Sequence, residues 1–305
     1  MLLGALISPW IYKMVVALPS WGLGSLPNLI ASLQAMPFHR YFSRSVEVIA
    51  FLLLWPATRW IGLYHLHELE LSENEHALAD LLFGAAAALV PLFLLQALLL
   101  WQGYYCLSGS ISFFFFLKFS STAALVATLE EFFFRGVLLG VSRHFLRNSR
   151  ANCWRSLLWT SLFFASIHFL NMPSLPIKPV CWWSGLQLCA RAFEGLPAFP
   201  LFLGAFLNLT LIGVILAWAT IRTASLALPI GLHGAWILGQ QCFNHLTSSL
   251  ISPPEALLPW IGKSQVSGMV PVGLLFLLPL LLTFILVNFW CTYRQRIPRR
   301  CLEKL

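Results

Sequence analysis

Glu130 and Glu131 lie side by side within Ser121 to Val141, a stretch otherwise apolar enough for a membrane-spanning helix, and Arg135 follows on the same segment. Ionisable side chains are costly in lipid, so these must face protein or water and mark a site by default. On a helix, residues four apart share a face, whereas residues five apart are turned by about 140°. Glu131 therefore faces Arg135, in the order that favours an intrahelical ion pair. Glu130 faces another way, where a carboxylate can take a proton from water. The plainer alternative is one buried polar network that only fastens helices.

Two histidines sit in later apolar segments. His168 closes Phe163-Phe164-Ala165-Ser166-Ile167-His168, with Phe164 one turn before it, and His233 lies in Leu228-Pro229-Ile230-Gly231-Leu232-His233-Gly234-Ala235-Trp236. Gly231 and Gly234 permit close helix approach. A single membrane histidine is commonly a packing residue. Two of them on separate segments, together with Glu130, weigh against packing as their sole role. The same residues admit a metal reading, in which Glu130, His168 and His233 form a two-histidine, one-carboxylate site for zinc. No His-Glu-x-x-His helix is present, and residue type alone does not choose between a glutamate-activated and a metal-bound water. Asn208, central in its own apolar segment, is either a further polar group of the site or an ordinary interhelical hydrogen-bonding residue.

These residues need helices to hold them, and the composition supplies helices of one kind. Of 305 residues 59% are hydrophobic and 10% charged, with mean hydropathy +0.79. Several runs approach the ~20 apolar residues that cross a bilayer. The expected spans are Met1 to Leu18, Val46 to Tyr64, Ala79 to Trp101, Ser121 to Leu146, Trp154 to Leu170, Pro200 to Ile221, Ser225 to Phe243 and Pro271 to Trp290, about eight in all. The fold class is thus an all-α, polytopic transmembrane bundle. Two connections have their own character. Trp182 to Leu196 fits a short amphipathic interfacial helix, and His245 to Ser267, with Pro253, Pro254 and Trp260, fits an interface-anchored loop.

The net charge of +8 comes mainly from Arg143, Arg147, Arg150 and Arg155 in one short loop and from Arg294, Arg296, Arg299, Arg300 and Lys304 in the tail. Both clusters abut spans, so they are cytoplasmic flanks rather than nucleic-acid patches. The N-terminal part fits less simply. If every segment crosses, Arg40 and Arg44 lie outside and the acidic loop with Glu68, Glu70, Glu73 and Glu75 lies inside. Either one early segment does not cross or Ile111 to Phe119 belongs to an extra pass. Seven scattered cysteines lack paired metal-ligand spacing and are expected to pack as small apolar residues.

Glu130-Glu131-Phe132-Phe133-Phe134-Arg135 resembles the first motif of the CPBP family of intramembrane proteases, which includes the CAAX-processing Rce1-type enzymes and the Abi or bacteriocin self-immunity proteins. Phe164 with His168 resembles the second motif, and His233, preceded by Ser225 to Leu232, the third. The similarity covers about Ser121 to Phe243. It implies a glutamate-type hydrolase with an Rce1-like core, in which Glu130 and His168 hold and activate a water, Glu131 and Arg135 support them, and His233 stabilises the oxyanion. The family's Asn four residues after that histidine is Ile237 here, and Asn208 is the candidate to replace it.

The resulting expectation has three parts: transmembrane helices over 1–110, a CPBP-like catalytic core over 111–245, and an exposed loop, last helix and basic tail over 246–305. The protein is expected to be a multi-pass protein of a bacterial-type inner membrane with its C-terminus cytoplasmic. Its partners are the lipid bilayer and a protein or peptide substrate at or in the membrane, with no nucleic acid and no required cofactor. The rival readings are a catalytically weak or inactive scaffold or immunity protein, for which Ile237 speaks, and a transporter using Glu130 as a proton relay. No repeated, broken-helix halves support the transporter.

Overall fold

The computed structural model describes residues 1–18, 27–62, 74–146, 150–170, 179–192, 194, 199–250, 260–261 and 273–296. Glu68, Glu70, Glu73, Arg147, Arg299, Arg300, Lys304, Pro253 and Pro254 lie outside the described residues. The helices are α1 (Leu2–Ala17), α2 (Pro27–Gln34), α3 (Phe38–Trp60), α4 (Ala77–Trp101), α5 (Phe113–Glu131), α6 (Leu139–Phe145), α7 (Arg150–Ile167), α8 (Ser184–Ala190), α9 (Phe199–Thr223), α10 (Ala227–Leu246) and α11 (Leu277–Arg296). The expected all-helical class is observed, with one small addition. Strands β1 (Tyr105–Leu107) and β2 (Thr247–Ser249) pair antiparallel, with Tyr105 opposite Ser249.

Among the described residues three stretches are long and apolar enough to cross a membrane, Ala77–Trp101, Phe199–Thr223 and Leu274–Arg294, while Leu2–Ala17 is apolar but shorter. Most element ends fall within a few residues of those expected. The exceptions have local causes. The helix expected from Ser121 starts instead at Phe113, where the Ser112 hydroxyl accepts from the Phe115 N–H as an N-cap. Phe113 to Phe119 is therefore the first part of this helix. Likewise α3 begins at Phe38, directly after Pro37 in extended conformation. Among the described residues of Trp182 to Leu196, where a short amphipathic helix is expected, Ser184–Ala190 form α8.

The chain forms two compact units that do not follow sequence order. The first comprises residues 1–63 and 168–196. In it α1 meets α3 and α8 at glycines: a Cβ on Gly185 would lie 1.9 Å from the Ala5 carbonyl oxygen, and one on Gly4 2.7 Å from Val46 Cα. Ala5, Phe38, Phe42 and Leu188 form the core there. Gln34 Nε2 donates to the carbonyls of Val15 and Leu18, satisfying the C-terminal end of α1.

The second unit, residues 64–167 and 197–305, holds α4 to α7 and α9 to α11. Its central pair is α4 with α10. A Cβ on Gly231 would lie 2.1 Å from the Leu81 carbonyl oxygen, and one on Gly84 2.5 Å from that of Leu228. Small residues let backbones touch where lipid gives helices no hydrophobic reason to associate. Helix α5 lies on another face of α10 through Ala123 and Ala127, which are the nearest neighbours of Gly234. The six described cysteines are all free.

Candidate active site

The buried residues of α5 are Ala123, Ala127 and Glu131, spaced four apart. The two alanines make the seam with α10, so the third position of the same stripe brings Glu131 to α10 as well. There Glu131 Oε1 lies 2.6 Å from His233 Nδ1. The same oxygen accepts from Arg135 Nη1 at 2.9 Å, forming the i,i+4 contact expected from the spacing. Glu131 is fully buried and Arg135 is 3% exposed. The guanidinium also stacks over Phe164, with its carbon 4.4 Å from the ring centroid. Phe164 meets His233 edge-on, at 6.0 Å between centroids.

Glu130 differs from its neighbour as the helical phase requires. Its side chain is 31% exposed, and its Oε2 lies 3.9 Å from His233 Nε2. With Nδ1 engaged by Glu131, the imidazole presents its other nitrogen toward Glu130. A gap of 3.9 Å is too long for a direct hydrogen bond and short enough for one bridging water.

Directly after the two glutamates the helix widens into a π-helical turn, Phe132–Leu138, before continuing as α6. Such turns concentrate at functional sites because they re-aim side chains without breaking the helix. Here Phe134, Arg135, Gly136 and Val137 are buried in succession. The sequence offers no sign of this turn beyond the charged residues within an apolar run.

Of the remaining expected site residues, Asn208 is fully buried on α9, and its Nδ2 donates to the Gly273 carbonyl at 3.0 Å. His168 is half-buried, one residue past the end of α7, and belongs to the first compact unit, whereas Glu130, Glu131, Arg135, Asn208 and His233 belong to the second. Ile237, one turn beyond His233, is half-buried and offers no donor. Sequence reasoning passed over Trp236. Its indole is 5% exposed, and its Nε1 is buried with no hydrogen-bond partner among the described residues. Buried donors normally find partners, so each exception calls for an explanation. Its Cβ lies about 60° round the helix from that of His233.

No group of three or more His, Cys, Asp and Glu side chains able to hold a metal ion occurs among the described residues. Glu131 Oε1, the carboxylate oxygen nearest His233, already serves both the imidazole and the guanidinium.

Residues 112–238 match the Rce1-like family. The family is described as type II CAAX prenyl endopeptidase Rce1-like, and its match contains the glutamate pair, Arg135, Phe164, His168, Asn208 and His233. Neither curated proteins nor solved structures give a match. This similarity over 112–238, together with the long apolar helices, supports a membrane protein. α4 and α11 lie outside the matched residues.

Proposed function

We propose that this protein is an intramembrane endopeptidase in which Glu130 activates a water for attack on a peptide bond. The observation that carries the reading is the division of labour between adjacent glutamates. Glu131 fixes one imidazole nitrogen of His233 at 2.6 Å, and Glu130 faces the other across 3.9 Å. Glu130 takes a proton from water as the hydroxyl adds to the substrate carbonyl carbon. The developing oxyanion needs donors, and the protonated Glu130 then gives its proton to the departing amine. On the family resemblance His168 holds the water with Glu130, and His233 faces the oxyanion.

A second donor is needed where Ile237 has none. Trp236 Nε1 is buried and uncommitted among the described residues, which makes it a better candidate than Asn208, whose amide nitrogen already serves the Gly273 carbonyl. A glutamate-activated water is favoured over a metal-bound one on the family resemblance, since the residue types alone fit either.

The substrate is a protein or peptide segment at or in the membrane. The basic clusters support a cytoplasmic C-terminus, and the proposed location is a bacterial-type inner membrane. The second reading is an inactive or weak family member serving as a scaffold or immunity protein, favoured by the loss of an amide at position 237. A proteolysis assay on the reconstituted protein beside its Glu130→Ala variant, using candidate membrane substrates, separates the two. Cleavage that depends on Glu130 supports the protease, and identical digestion or none at all supports the scaffold.

A further inference from the structure

Outside the proposed site one carboxylate among the described residues is buried completely. Asp80, in the first turn of α4, has no exposed surface. Its Oδ1 accepts from Trp290 Nε1 at 2.8 Å. Its Oδ2 accepts from Asn74 Nδ2 at 2.9 Å and lies 3.1 Å from Arg294 Nη1. Trp290 and Arg294 stand one turn apart on α11, and the Trp290 ring stacks on Phe83 of α4 at 4.3 Å. A fully buried charge is tolerated only when paired and hydrogen-bonded. Asp80 meets that condition with three donors, so it is a built feature.

Asn74 carries the cluster to a third place. Its Oδ1 accepts from Arg294 Nη2, and its Nδ2 also donates to Ser225 Oγ at 3.0 Å. Ser225 lies in the tight turn between α9 and α10, and its hydroxyl accepts from the Ala227 N–H at 3.2 Å, the first residue of α10. Thr223 Oγ1 donates to the Ser225 carbonyl. The residue between them, Ala224, has φ +50°, a left-handed conformation that usually falls to glycine. Such a residue persists only where its surroundings over-determine the backbone.

Helix α10 is the helix that presents His233, six residues beyond Ala227. Its start is fixed by the Asn74 link, and its middle by the contact of Gly231 with the Leu81 carbonyl on α4, the helix that carries Asp80. We infer that Asp80, Asn74 and Arg294 form a positioning clamp that sets the register of α10, and through it the placement of His233 against Glu130 and Glu131. The clamp residues lie outside the Rce1-like match at 112–238, so the matched core depends on helices on either side of it. Only the kinetic consequence of this inference rests on the protease reading.

The test uses the full chain in lipid nanodiscs, with Asp80→Asn, Arg294→Gln and Asn74→Ala made singly and Asp80→Asn with Arg294→Gln together. The first readout is the imidazole nitrogen resonance of His233, which reports the Glu131 contact whether or not the protein cleaves anything. The second is kcat and KM on a cleaved membrane peptide. Asn74→Ala is the decisive variant, because it leaves Asp80, Arg294 and Trp290 together and removes the link to Ser225. The clamp predicts that this variant shifts the His233 resonance and lowers kcat about tenfold with KM within about twofold, as expected for displaced rather than missing chemistry. The double variant should then be no worse than the more damaging single one, because the residues act as a unit. A folded Asn74→Ala protein with the parental His233 resonance overturns the inference and leaves Asp80 and Arg294 as a fastener. A parent that cleaves nothing defeats the protease reading, and the resonance still decides the clamp.

Discussion

One carboxylate oxygen, Glu131 Oε1, serves both His233 Nδ1 at 2.6 Å and Arg135 Nη1 at 2.9 Å. It joins the ion pair of one helix to the imidazole of another, so the glutamate that looks like a partner for Arg135 also orients the histidine. Glu130, one residue earlier, is left facing the opposite ring nitrogen.

Replacing Glu131 therefore has two consequences. Glu131→Gln removes the charge that compensates a guanidinium 3% exposed. Breaking a buried pair in this way costs about 3 to 5 kcal/mol. Thermal unfolding in detergent should show a clearly lower midpoint and a lower yield, together with a changed His233 resonance. A stable, well-expressed Glu131→Gln protein with unchanged His233 would mean that the two glutamates have exchanged roles.

The contact of α4 with α10 yields a second prediction. A Cβ at position 231 would stand 2.1 Å from the Leu81 backbone oxygen, which cannot rotate away as a side chain can. Gly231→Ala should destabilise the protein by about 1 to 3 kcal/mol, the usual range for overpacking. At Gly234 the nearest atoms are at 3.6 and 3.7 Å, an ordinary contact distance. Gly234→Ala should leave the melting midpoint nearly unchanged, and equal losses at both glycines would contradict the backbone contact.

How much of this was legible in the sequence follows from the range of each interaction. The Glu131 contact with Arg135 was legible because it is set by helical spacing within one segment. The long apolar helices α4 and α9 were legible because hydropathy alone defines them. The π-helical turn over Phe132–Leu138 was not, since it depends on what packs around Arg135. The tie between Glu131 and His233 joins residues 102 apart, and the Asp80–Arg294 pair residues still farther apart in the chain. Spacing arguments do not reach such pairs. Asp80, near the start of an apolar run, carries no sign in the sequence of the three donors that meet it.

Trp236 separates catalysis from stability. Trp236→Phe keeps an aromatic ring in a buried place and deletes an N–H that has no partner among the described residues. Removing an unsatisfied donor should leave stability unchanged or raise it slightly. If that N–H meets the oxyanion, kcat falls about 10²-fold with KM little changed. Parallel kinetics of the parent and the variant check this, and an unchanged kcat would return the donor's role to another residue.

Metal dependence is tested by removal. With Glu130 rather than a metal ion proposed to activate the water, activity should persist after prolonged treatment with a strong chelator. Loss of cleavage restored by added zinc would make His168 and His233 candidate ligands and displace Glu130 as the group that activates water.

The central claim is that Glu130 is the base. Glu130→Gln preserves shape, sits at a side chain 31% exposed, and leaves the Glu131, Arg135 and His233 contacts in place. The measurement is single-turnover cleavage of a membrane substrate by the reconstituted parent and by this variant, with melting curves recorded for both. The variant should melt like the parent and cleave nothing above background, because an amide cannot accept a proton from water. Near-parental cleavage by a well-folded Glu130→Gln protein would contradict it.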